Sequence, residues 1–142
     1  MSYLFDTNII SEIRHPQGDR LVKVRFAMIP PDRLYTSAIV YGELTNGIAA
    51  LLNGRKKKLL EAWCDQFEDQ FGDRILPFDR HIAKIWGTIT SSCLSAGTRI
   101  TAVDGQIVAT AISHQMILIT RNEKYFKPTG VKIWNIWKRA ML

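Results

Sequence analysis

Short apolar runs alternate with longer stretches in which apolar residues recur every three or four positions. Tyr3-Leu4-Phe5 predicts a buried strand over 2–5, and the next residues a short helix over 7–14 closed by His15-Pro16-Gln17-Gly18. A second helix fits 18–28, where Leu21, Val22, Val24 and Phe26 supply apolar surface. After Pro30-Pro31 comes a strand at 34–36, with Ser37 as an N-cap. The helix it opens, 38–53, carries Ile39, Val40, Leu44 and Ile48 on one face and stops at Asn53-Gly54. Leu59, Leu60, Trp63, Phe67 and Phe71 mark a helix over 55–71. A strand at 75–78 leads into Asp79, which caps a helix over 80–96 that Gly97 ends. Helix 102–114, strand 116–119 and a last strand at 131–133 complete the series.

Strands this short, separated by helices, pair in parallel, so the expected fold is a three-layer α/β/α sandwich with a short-stranded, mainly parallel sheet. The carboxyl ends of the strands near 5, 36 and 119 then share one edge, where open α/β sheets place their ligands. At 142 residues, 46% of them hydrophobic and 23% charged, the chain suits a single folded domain over 1–142 and not a disordered segment. No apolar run approaches the roughly 20 residues that span a bilayer, and no secretory signal opens the chain. A cytoplasmic protein with no membrane partner is expected. Cys64 and Cys93 fall on separate helices, and the three histidines are scattered, which argues for buried free thiols and against zinc. The formal net charge of +6 favours encounter with a polyanion or an acidic protein.

Three carboxylates approach the shared sheet edge. Asp6 follows the first strand, Glu43 lies on the helix after the second, and Asp104 is in the first turn of the helix before strand 116–119. Clustered carboxylates repel unless a cation joins them, and all-oxygen ligands select hard ions such as Mg²⁺ or Mn²⁺. Each residue also has a simpler use. Asp6 can cap the helix behind it, Asp104 completes Thr101-Ala102-Val103-Asp104 as a variant capping box, and Glu43 can be solvated.

The flanking residues weigh against three unrelated caps. The strand-Asp-Thr-Asn start, Ser37 to Glu43, Ala102-Val103-Asp104 and Ile119-Thr120-Arg121-Asn122 with Phe126 together resemble the PIN-domain family. Within it the chain is similar to VapC-type toxins of bacterial type II toxin–antitoxin modules. Leu51 to Lys58 and Arg74 to Asp79 resemble the FitB branch in particular. The likeness runs essentially from end to end. It implies a Mg²⁺- or Mn²⁺-dependent endoribonuclease that cuts RNA and is silenced by a cognate antitoxin. It also implies a homodimer that meets DNA only through the antitoxin complex. By position, Asp6, Glu43 and Asp104 match the family's core acidic residues, and Thr7, Asn8 and Thr120 the polar residues around them. The fourth corner departs from the pattern: it is Asn122, where FitB-like relatives often carry Asp. The oxygen is kept and the charge is lost, so a second metal would be held less firmly. Glu123, next to it on a segment expected to be extended, would point the other way.

The implied roles are Asp6 and Asp104 as metal ligands, directly or through water, Glu43 as a further ligand or the group that orients the attacking water, and Asn122 with Thr120 as hydrogen-bond partners of the water shell or phosphate. The run Arg55-Lys56-Lys57-Lys58 is expected to be a solvated helix start. Trp63 and Trp86 fit apolar helix faces, and large apolar residues over 38–71 offer a face for a second copy. Two other classes compete. One is a non-catalytic nucleic-acid or partner-binding domain whose acidic residues are caps. The other is a phosphotransfer or haloacid-dehalogenase-like hydrolase, which would normally show a second Asp where Asn8 stands. No glycine-rich phosphate loop points to a nucleotide.

Overall fold

A computed structural model of the chain describes residues 1–138. Its centre is β1 (Tyr3–Phe5), with Leu4 and Phe5 buried as a strand covered on both faces requires. On one side β1 pairs with β2 (Leu34–Ser37), and β2 with β3 (Ile75–Leu76). On the other side β1 pairs with β4 (Ile117–Ile119), and β4 with β5 (Ile133–Trp134). All four pairings are parallel, and the strand order is β3-β2-β1-β4-β5. The chain therefore reverses its direction of sheet growth at β1, which makes the crevice between β1 and β4 a topological switch point. The register Phe5↔Ile119 aligns the ends of these two strands at that crevice.

Seven helices surround the sheet among the described residues: α1 (Thr7–Arg14), α2 (Arg20–Ala27), α3 (Ala38–Ala49), α4 (Arg55–Phe71), α5 (Arg80–Ser95), α6 (Ala102–Ser113) and α7 (Glu123–Phe126). The α/β fold is as expected. Each start follows a side-chain cap where one was foreseen. Ser37 accepts from Val40 N at 3.1 Å and Asp79 from Ile82 N at 2.9 Å. The stop at Gly97 is a Schellman turn: Gly97, at φ 81°, donates to Leu94 O, and Thr98 N to Cys93 O at 2.8 Å.

The differences have local causes. The second helix begins later than expected, behind Asp19, whose carboxylate accepts from Leu21 N at 2.8 Å. The helix expected to reach residue 53 ends at Ala49, where Lys57 Nζ returns from the next helix to satisfy Ala49 O at 3.2 Å. The last strand is Ile133–Trp134 in place of 131–133, and the strand after Arg74 pairs only over Ile75–Leu76. Glu123, expected on an extended segment, instead opens α7.

The core gathers round Phe5, whose ring meets Phe26 at 5.4 Å and Phe71 at 5.6 Å, edge to face. Ile9, Val40, Ile107, Val108 and Leu118 close over it, each at most 1% exposed. Cys64 and Cys93 are free and buried. No helix among the described residues is long and apolar enough to cross a membrane.

Candidate active site

Asp6 is at once a cap and more than a cap. As the N-cap of α1 its Oδ1 accepts from Asn8 N at 3.0 Å, while Oδ2 accepts from the Thr120 hydroxyl at 2.6 Å, 114 residues away. A helix cap needs only the first of these bonds. The second crosses the switch point from the end of β1 to the residue after β4, and Asp6 N donates to Ile119 O beside it. Asp6 is 5% exposed and Thr120 fully buried, so the carboxylate sits in a low-dielectric crevice.

No cation balances Asp6 there: the ion pair found among the described residues is Lys138–Glu123. Burial pushes the Asp6 carboxyl up to about 6, against the lowering effect of its bonds from Thr120 and Asn8. The negative charges of Asp104 and Glu43 push it in the same direction as burial, so both stand near enough to be felt.

Glu43 is exposed on α3 and held from the first turn of α1, where the Thr7 hydroxyl donates to its Oε1. Asp104 is half-buried in the first turn of α6. Its backbone N–H donates to Thr101 Oγ1 at 3.2 Å, and the Thr101 hydroxyl donates to Asp104 Oδ2 at 2.9 Å. A full capping box would turn the carboxylate back onto Thr101 N–H. Here Thr101 N instead donates to Tyr125 Oη at 2.8 Å, which leaves the rest of the carboxylate facing outward. Tyr125 carried no sequence signal, because its role depends on α7 meeting the start of α6.

Asn122 joins through its backbone. Its N–H donates to Thr120 Oγ1 at 3.4 Å, and its exposed side chain makes no capping bond to α7. Asn8 likewise contributes its backbone N–H to Asp6, and its side chain is exposed. Glu123 is directed away from the site, to Lys138 at 2.5 Å and Asn135 Nδ2 at 3.3 Å.

The donors are carboxylates, hydroxyls and an amide, with no thiolate or imidazole. Among the described residues, no three His, Cys, Asp or Glu side chains are gathered closely enough to chelate an ion by themselves. That is compatible with Mg²⁺, which retains several waters and takes one or two carboxylates, and not with an all-protein cage of the calcium type. The buried, unpaired charge on Asp6, further disfavoured by the charges of Asp104 and Glu43, is what such a hydrated ion would neutralise.

Comparison with known proteins identifies the family of the fold that carries this site. The PIN-domain family model matches residues 3–131. Toxin FitB of Neisseria gonorrhoeae is 39% identical over 135 residues, 94% of this chain and 97% of FitB. VapC ribonuclease Y4jK of Sinorhizobium fredii is 30% identical, with 96% and 99% of the two chains covered. The solved structure of FitAB bound to the IR36 DNA fragment superimposes with a TM-score of 0.93 at 38% identity, covering 98% of each chain. A buried strand-end aspartate with two acidic neighbours, in a fold shared along almost the whole length, leads to one assignment: the chain belongs to the PIN-domain family, among its FitB- and VapC-type members.

Proposed function

We propose that this chain is a metal-dependent endoribonuclease, the toxin of a type II toxin–antitoxin module, which hydrolyses RNA phosphodiester bonds. The observation that carries the reading is Asp6: a buried carboxylate without a cationic partner, tied to Thr120 across the switch point and electrostatically coupled to Asp104 and Glu43. The kinship with a VapC ribonuclease and with toxin FitB supports the chemistry and the biological role.

Asp6 and Asp104 would hold a hydrated Mg²⁺ or Mn²⁺. When bound, such an ion lowers the pKa of its water and offsets charge developing on the phosphate. Glu43, steadied by the Thr7 hydroxyl, orients the attacking water and takes its proton as the oxygen bonds to phosphorus. The P–O bond to the leaving ribose oxygen breaks in the same displacement, and that oxygen takes its proton from solvent water. Thr120 keeps the Asp6 carboxylate turned to the crevice, and Asn122 presents a neutral amide to the water shell or a phosphate oxygen.

The partners follow from the same reading. RNA is the substrate, a cognate antitoxin covers the acidic site, and DNA is reached only through the toxin–antitoxin complex, as the DNA-bound FitAB relative suggests. The chain works in the cytoplasm, where its RNA is. A second copy packs on the α3–α4 end, where Leu52 and Leu59 are 92% and 59% exposed.

The test is RNA cleavage by the purified chain with Mn²⁺ and with excess EDTA. Cleavage restored by Mn²⁺ and lost with EDTA is the expected result. RNA bound but never cut would mean a non-catalytic binding domain, and cleavage indifferent to EDTA would remove the metal.

A further inference from the structure

Residues 120–123 carry Thr120 and Asn122, and the segment after β5 holds them from outside the site. Thr120 N donates to Trp134 O at 3.3 Å. Asn135 Nδ2 donates to Arg121 O at 3.2 Å and to Glu123 Oε2 at 3.3 Å, so a single amide spans both neighbours of Asn122. Its orientation is set by the other end of the amide, because Oδ1 accepts from Trp137 N at 3.1 Å. Lys138 pairs with the same Glu123 carboxylate at 2.5 Å, and the Arg121 guanidinium lies 5.5 Å from the Trp137 ring centre.

The segment is itself anchored to α1 and α2. Ile136 is fully buried. Arg25 of α2 donates to Ile136 O at 3.1 Å and also to Lys138 O. Trp137 Nε1 donates to Glu12 Oε1 at 2.7 Å, on the helix that Asp6 caps. Strand pairing requires none of these bonds beyond Trp134. Through Asn135 the anchored segment reaches the Arg121 carbonyl on one side of Asn122 and the Glu123 carboxylate on the other, while the Asn122 side chain makes no capping bond. A group that must meet a water or phosphate within about 0.5 Å needs neighbours that fix it.

We propose that residues 135–138 form a strap that positions Thr120 and Asn122, with Asn135 as its positioning residue. The inference rests on the ribonuclease reading for its purpose, though not for its geometry. Asn135→Asp separates the two ends of the amide. It keeps an acceptor for Trp137 N but sets a charge against Arg121 O and Glu123. Adding Glu123→Gln returns a donor opposite that charge.

Two readouts apply to the full chain: amide hydrogen exchange at 121–123 without metal, and kcat and KM for RNA cleavage with Mn²⁺. Asn135→Asp is expected to accelerate exchange at 121–123 by about tenfold and to lower kcat by about tenfold, with KM held within about twofold. The Trp137 amide stays protected, and the double variant recovers most of both losses. Wild-type exchange at 121–123 in Asn135→Asp overturns the strap whether or not RNA is cut. Faster exchange with wild-type kcat overturns the positioning role. Faster exchange in a chain that never cleaves RNA supports the strap and overturns the ribonuclease reading instead.

Discussion

Asp6 combines two demands that pull against each other. Burial and two neighbouring carboxylates raise its pKa from 3.8 to about 6, so the folded state holds its proton more tightly than the unfolded chain does. The stabilisation that follows is fully present below pH 3.8 and is lost as pH rises through about 6, where the folded carboxyl ionises. A shift of this size corresponds to roughly 3 kcal/mol of destabilisation at neutral pH. Asp6→Asn therefore is expected to unfold at higher urea than wild type at pH 7.5 in EDTA, by about 2 kcal/mol, with the advantage nearly gone at pH 3.5. An equal difference at both pH values would mean that the carboxylate is not strained. Asp104→Asn is different, since Asp104 is half-buried and its N–H bond to Thr101 survives. It should abolish cleavage while moving Tm by no more than about 2 °C.

Elements built from caps and apolar periodicity were legible in the sequence, and those set by tertiary contact were not. Ser37, Asp79 and Gly97 mark their boundaries as local chemistry dictates. By contrast, α7 has only four residues, too few for a 3.6-residue period to register, and it exists where Tyr125 and Phe126 pack. The end of α3 depends on Lys57 returning from the next helix. The same division holds in the site. Asp6, Glu43 and Asp104 could be picked out by position, but the Thr120–Asp6 bond needs β1 and β4 to be neighbours, which strand order alone decides. The turn between α1 and α2 offers a test at this scale. A Cβ on Gly18 would lie 2.0 Å from Glu12 O, a backbone atom that cannot turn aside. Gly18→Ala should cost about 1–3 kcal/mol in urea unfolding. Its effect on cleavage should be small at temperatures where the variant is folded, because the turn lies at the far end of α1 from Asp6.

At the scale of the whole molecule, the parallel sheet brings residues from positions 6, 43, 104 and 120–122 to one edge, and the chain's net charge of +6 would favour encounter with the RNA of the proposed reaction. The exposed Leu52 and Leu59 extend the account to assembly: Leu52→Asp with Leu59→Asp should convert a dimer to a monomer in light scattering. A wild-type monomer would remove that interface. The acidic edge itself is tested most directly by calorimetric titration of Mn²⁺ into the RNA-free chain, which does not depend on which RNA is cut. Wild type is expected to bind, with Asp6→Asn and Asp104→Asn each weakened by at least about tenfold, or 1.4 kcal/mol. Equal affinity in all three proteins would contradict a metal site built on Asp6 and Asp104.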